Sequence, residues 1–240
     1  MPFDLPRGVV VPVTSIEIIL DAAPHPFETA SGDAIERNWR SEVAANPALF
    51  DGRIVLLSEL VYRDGVLSGR CHETRYATLL YWRLDRDGAS AEHAFAHAAL
   101  VSSDNALVAI RMGLHTANAG KVYFAAGSFE PMDFRDGLVD IDFNMRREVG
   151  EETGLDIATA TSDEGYHLYS HANGSVIFRR YRMAETAAAL AKRIEAHVAA
   201  EAEPEILGPV VIRDAEDLPE GIVPHMEAIV RWHFSCEVDA

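Results

Sequence analysis

Arg147-Glu148-Val149-Gly150-Glu151-Glu152-Thr153-Gly154-Leu155 sets three carboxylates at i, i+3 and i+4. At 3.6 residues per turn, Glu148, Glu151 and Glu152 share one side of a helix. Like charges at that spacing destabilise an isolated helix by a few tenths of a kcal/mol, and no lysine breaks up the cluster. Hard oxygen ligands converging without basic partners suit a divalent cation, Mg2+ or Mn2+. On geometry alone, a metal site and an acidic helix end are equally open.

The elements around this stretch must position it. Asp140 is suited to cap a helix start, and Ile141, Met145 and Val149 make an i, i+4, i+8 apolar stripe. Gly154 follows where a helix C-cap needs a left-handed residue. Upstream, Val122–Ala125 reads as a short strand leading into Gly127-Ser128-Phe129-Glu130-Pro131-Met132-Asp133.

This pair of segments resembles the signature of the Nudix hydrolase superfamily: Gly, five residues, Glu, seven residues, then Arg-Glu-U-x-Glu-Glu-x-Gly-U, with U aliphatic. Arg147, Glu148, Val149, Glu151, Glu152, Gly154 and Leu155 fill every specified position of the second half. In the first half Asp133 stands where the family has Glu, and thirteen residues rather than seven separate it from Arg147. The six-residue insertion carries Asp136-Gly137, a turn-forming pair, so it is expected to protrude as a loop beside the helix. The resemblance implies a mixed sheet sandwiched between helices, Glu148, Glu151 and Glu152 as metal ligands, and Arg147 orienting a carboxylate. It also implies hydrolysis of a nucleoside diphosphate linked to another moiety, with Mg2+ or Mn2+ required and Glu152 or a loop residue as general base. The family often draws one further carboxylate from downstream; Glu205 is the choice here, ahead of Glu201, Glu203 and Glu185. Asn46-Pro47-Ala48-Leu49-Phe50-Asp51-Gly52 faintly resembles the branch that cleaves UDP-sugars. ADP-ribose and dinucleotides stay open. So do a Nudix-fold module that senses a nucleotide without cleaving it and a Nudix-fold isomerase, although Cys71 and Cys236 show no motif for the latter.

Composition sets outer bounds. The chain has 240 residues, 48% of them hydrophobic and 25% charged, enough for a core without disulfides. A formal net charge of −17 argues against nucleic acid polymers and anionic membranes as partners, since both need a basic face. A small-molecule polyphosphate stays compatible, because a cation and local arginines can reverse the potential inside a site. Cys71 and Cys236, which read as reduced thiols with one disulfide left open, no apolar run near membrane length and no signal-peptide pattern give an expected cytoplasmic location. A homodimer is left open.

Residues 1–90 read as an accessory α/β region and 91–240 as the hydrolase domain, in an α+β fold. In the first part, Val9–Leu20 reads as a strand broken at Pro12, Asp33–Val43 as a helix, Arg53–Cys71 as a hairpin turning at Asp64-Gly65, and Thr74–Leu84 as a helix. Asp85–Glu92 reads as the linker. In the second, strands are expected at Ala94–Val101 and Ala106–Met112 around Asp104-Asn105. Tyr166–Ser170 and Val176–Met183 flank Asn173-Gly174. A helix at Thr186–Ala200, a strand at Ile206–Arg213 and a helix at Pro224–Phe234 complete the order. Arg111 and Lys121, beside the strand that leads to Gly127, are the expected phosphate contacts, with His115 nearby. His93, His97 and the Cys71-His72 pair read as packing or surface residues, and Tyr76, Tyr81 and Trp82 as buried aromatics, with stacking on a base the alternative.

Overall fold

The computed structural model describes residues 2–85, 91–172 and 174–235. Chain order begins β1 (Phe3–Asp4), β2 (Val10–Val13), β3 (Ser15–Asp21), α1 (Pro26–Ala45), β4 (Arg53–Arg63), β5 (Val66–Arg75) and α2 (Tyr76–Leu84). Next come β6 (Ala94–Val101), β7 (Leu107–Met112), β8 (Val122–Tyr123), a 3-10 turn at Pro131–Asp133, β9 (Phe134–Arg135), β10 (Leu138–Val139) and α3 (Ile141–Thr153). The rest is β11 (Thr161–Ser162), β12 (Tyr166–His171), β13 (Gly174–Arg182), α4 (Ala187–Ala200), β14 (Ile206–Ile212) and α5 (Pro224–Ser235). The class is α+β, but two mixed sheets replace the single one expected. Six strands run β1-β4-β5-β3-β10-β9; the other sheet runs β14-β7-β6-β13-β12-β2, with β8 on β7 and β11 on β13.

Local chemistry explains most boundaries. The β4–β5 hairpin turns at Asp64 and Gly65, both at positive φ (48° and 86°), the conformation a tight primed turn requires. Helix α1 starts seven residues before Asp33. Pro26 suits a first helical position, and the His25 ring nitrogen Nδ1 accepts from Phe27 N at 3.0 Å. The Val9–Leu20 run does break, but at Thr14 and between sheets. Pro12 lies within β2, an edge strand of the larger sheet, where its missing N–H interrupts no ladder. The linker expected at Asp85–Glu92 falls largely on residues 86–90, outside the described residues, as does Asn173 of the expected turn.

The division at residue 90 is not a physical seam. Strand β2 pairs with β12, Tyr166 opposite Val13, so the N-terminal part completes the C-terminal sheet. Strand β10 pairs with β3, Leu138 opposite Ile19, so the C-terminal part extends the N-terminal sheet. One core runs through both, holding Ile18, Leu57 and Leu67 beside Phe124, Val149 and Ile177. Arg7 also reaches the buried Glu92 at 2.8 Å.

The insertion is likewise not a free loop. Residues 134–139 fold into a hairpin over Asp136 and Gly137 (φ 50° and 80°), and Leu20 N donates to Gly137 O at 2.9 Å. Deleting the six residues around Asp136-Gly137 therefore exposes the β3 edge. We expect a loss on the order of 1–3 kcal/mol, read as a lower thermal midpoint; an unchanged midpoint would mean the hairpin carries no stability.

Candidate active site

Helix α3 forms where its sequence places it. Asp140 caps it by accepting from Phe143 N at 2.9 Å, and Gly154 closes it in the left-handed conformation at φ 67°. Ile141, Met145 and Val149 are buried in the core. Asp142, on the first turn, takes Arg179 from β13 and the Tyr166 and Tyr181 hydroxyls, which fixes the helix on the larger sheet. Its opposite side faces the segment 125–130. That segment is held by Val55 N donating to Phe129 O at 2.9 Å and by a bridge between Ser128 and Phe95.

Between them, Ala126 N donates to Glu152 Oε2 at 2.9 Å. Gly127 packs so tightly that a Cβ there would lie 2.2 Å from Glu148 Oε1. The glycine of the half-signature is thus the floor on which the Glu148 carboxylate rests. Glu148 and Glu152 are 7% and 8% exposed, whereas the Glu151 side chain is 60% exposed. Burial pushes Glu148 up to about 8, offset in part by Arg147. It also raises Glu152 well above the usual carboxylate range, with the Glu148 charge adding to the effect. Glu130 is raised for the same reason. Desolvated, mutually repelling carboxylates of this kind gain most from a cation.

Arg147 gathers the cluster, contacting Glu148 Oε1 at 2.7 Å, Glu151 Oε2 at 3.0 Å and Asp133 Oδ2 at 3.3 Å. Asp133 is fully buried and also accepts from Glu130 N (2.8 Å) and Asn144 Nδ2 (2.9 Å). A carboxylate so satisfied is a structural latch between the loop and α3. Among the described residues no three acidic or imidazole groups are already gathered as a ligand set; Glu148 and Glu151 face Arg147 instead. The donor chemistry nonetheless fits a hard cation, with Glu148, Glu151 and Glu152 all lining one cavity of about 960 Å3.

Glu205 lies on that cavity with Glu201 and Glu203, and its charge is felt at Glu152. Glu185 does not line it and pairs with Arg193. The expected phosphate contacts are not there. Arg111 Nη1 donates to the Gly120 and Glu220 carbonyls at 3.1 and 2.9 Å, and Lys121 is exposed; neither lines the cavity, whereas His115 does. Two features went unread in the sequence. His93, His97, His171 and His225 line the cavity around Phe95, with ring centroids 5.2 Å apart for His93–Phe95, Phe95–His225 and His97–His225. Burial drives His93 and His97 down to about 3 and His225 well below the usual imidazole range, so these three rings are uncharged at neutral pH. Tyr76 and Arg83 of α2 and Ala48–Phe50 also line the cavity. The insertion hairpin does not line it.

No protein family model matches the chain, and no curated protein matches it. Solved structures similar to it include DR0079 from Deinococcus radiodurans, 13% identical over 76% of this chain and 99% of that one, TM-score 0.44. The MutT protein from Methanosarcina mazei Go1 is 16% identical over 62% and 96%, TM-score 0.38. The ORF135 protein of E. coli is 17% identical over 60% and 91%, TM-score 0.35. At that distance, function has to be read from the side chains themselves.

Two measurements check the geometry. Gly127→Ala should displace the Glu148 carboxylate and weaken Mn2+ binding about tenfold, the cost of a disturbed ligand shell, with a small change in thermal midpoint; Mn2+ affinity equal to wild type would mean that Glu148 is no ligand. The second concerns His97. Its folded pKa lies below its unfolded value of about 6.5, so the unfolded chain binds the extra proton and stability is lost as pH falls through that value. The loss grows by about 1.4 kcal/mol per pH unit below it. His97→Phe should therefore show a smaller drop in midpoint between pH 7 and pH 5 than wild type, and an equal drop would contradict a neutral buried imidazole.

Proposed function

We propose that this chain is a Nudix-type hydrolase that cleaves the pyrophosphate bond of a nucleoside diphosphate linked to another moiety. The observation that carries the reading is the seating of Glu148 on Gly127. It joins the two halves of the motif in space despite the six-residue insertion, and it delivers buried carboxylates to a large cavity. Glu148, Glu151 and Glu152 would hold Mg2+ or Mn2+, which when bound supplies charge neutralisation on the phosphoryl oxygens. Arg147 keeps two of these carboxylates oriented and is itself anchored by Asp133. Glu205, exposed to solvent at the cavity, would accept the proton of the attacking water. The neutral rings of His93, His97 and His225 with Phe95 offer an uncharged flat surface for a base or sugar ring, as ligand pockets commonly do. A UDP-sugar is the favoured substrate, supported by the 46–52 resemblance and by Ala48–Phe50 at the cavity. ADP-ribose and dinucleotides are the alternatives, and a non-cleaving nucleotide sensor is the rival class.

Activity should require added Mg2+ or Mn2+ and vanish with chelator while the helical signal persists. Glu152→Gln should lower turnover by a factor of ~100 or more, because lost charge stabilisation converts at roughly tenfold per 1.4 kcal/mol. The metal-free thermal midpoint should hold or rise, since a buried charge beside Glu148 is removed. Release of phosphate monoesters from a panel of nucleoside diphosphate derivatives, with a melt on the same samples, tests both. Near wild-type turnover in Glu152→Gln would remove α3 from the reaction.

A further inference from the structure

Seven glutamates line the cavity against two arginines, Arg83 and Arg147. Arg147 is committed to Asp133, Glu148 and Glu151. Arg83 differs. Among the described residues no carboxylate lies within ion-pair distance of its guanidinium, and its polar neighbour is the Tyr76 phenol, two turns earlier on α2. One phenol leaves most of the five N–H donors of a guanidinium without a protein acceptor. Arg83, Tyr123 and Glu152 line the same cavity, so the guanidinium and the α3 carboxyl groups open onto one space. Helix α2 is held rigidly there. Leu79 and Trp82 are buried with Phe27, Ile54 and Leu56 in a second small core, and Trp82 Nε1 donates to Ala91 O at 3.1 Å.

We propose that Arg83 is a substrate-binding residue that takes a phosphoryl group of the diphosphate through its planar fork. It would be a second phosphate contact, separate from the α3 carboxylates and supplied by the N-terminal part of the chain. The identification of the anion as the substrate's diphosphate rests on the hydrolase reading; the capacity to hold an anion does not. A cavity this rich in carboxylate repels a polyanion unless both of its ends are met by positive charge. A cation on α3 serves one end, and Arg83 is the one guanidinium among the described lining residues without a carboxylate partner to serve the other. The fork geometry favours bidentate phosphate binding, which lysine reproduces poorly.

The test titrates inorganic pyrophosphate with Mg2+ into the full chain by calorimetry, for wild type, Arg83→Gln, Arg83→Lys and Tyr76→Phe. Arg83→Gln should weaken binding about tenfold or more and Arg83→Lys by an intermediate factor, as expected for a charge-assisted bidentate contact. Tyr76→Phe, which leaves the guanidinium in place, should stay within about threefold of wild type. Mn2+ affinity without anion and the thermal midpoint should be unchanged in Arg83→Gln. With a hydrolysed substrate, the KM of Arg83→Gln should rise more than its kcat falls, since the contact is made in ground and transition states alike. Pyrophosphate binding by Arg83→Gln equal to wild type, no binding by wild type, or an equal loss in Tyr76→Phe would each overturn the proposal. If wild type cleaves no diphosphate ester yet loses pyrophosphate binding on Arg83→Gln, the hydrolase reading fails and Arg83 stands. If cleavage proceeds with KM and pyrophosphate affinity unaltered in Arg83→Gln, Arg83 falls and the hydrolase stands.

Discussion

The contact on which the site depends is the close approach of α3 to the segment carrying Ala126 and Gly127. Glu152 is tied to the Ala126 amide, and the Glu148 carboxylate occupies the volume a side chain at 127 would fill. Packing this tight removes both carboxylates from water, and burial raises their affinity for protons. The same desolvation that makes the helix costly when empty makes it responsive to a cation, because the penalty of burying charge is offset only by an opposite charge in the same low-dielectric space. Everything else at the site fixes that distance: the Asp142 network sets α3 on the larger sheet, and the Val55–Phe129 hydrogen bond holds the facing segment.

Asp133 serves the site through what it holds in place. One methylene shorter than the glutamate of the family pattern, it lies fully buried under Arg147 and Asn144. There it closes the 3-10 turn by accepting from the Glu130 amide. Its acceptors are spent on the protein, and what it contributes to the site is the position of Arg147. The insertion follows directly from this point, and its hairpin adds two strands to the N-terminal sheet instead of reaching over the cavity.

Local signals were legible in the sequence to the degree that they act locally. The Asp140 cap, the apolar stripe of α3, the Gly154 stop and the Asp64-Gly65 turn each depend on neighbours within about one or two turns of chain, and all formed where they were read. The carboxylates of α3 were legible for the same reason. Arg111 was misread because its proximity to Gly127 in sequence says nothing of direction: its side chain turns to two loop carbonyls. The histidine wall was invisible because His93 and His97, His171 and His225 come from three separate places in the chain, and only the sheet order and the packing of α5 against it bring them together. His93, immediately before β6, and His97 on it are four residues apart and fall on one side of extended backbone, but nothing local says that this side lines a cavity.

The hardest inference from sequence was that no accessory region exists as such. A boundary at residue 90 looks natural because the motif lies wholly beyond it, yet β2 crosses into one sheet while β9 and β10 cross into the other. Strand exchange in both directions makes the two sheets share one core, so truncation at that boundary would leave unpaired edges on both. The exchange also explains why α2 and the Ala48–Phe50 segment can lie on the cavity at all. Helix α2 is anchored on β4, and β4 holds Phe129, two residues from the glycine under Glu148. A charge on α2 is thereby positioned relative to the charges on α3 through a short chain of packed backbone, the arrangement a site needs if its two ends are to grip one small ligand.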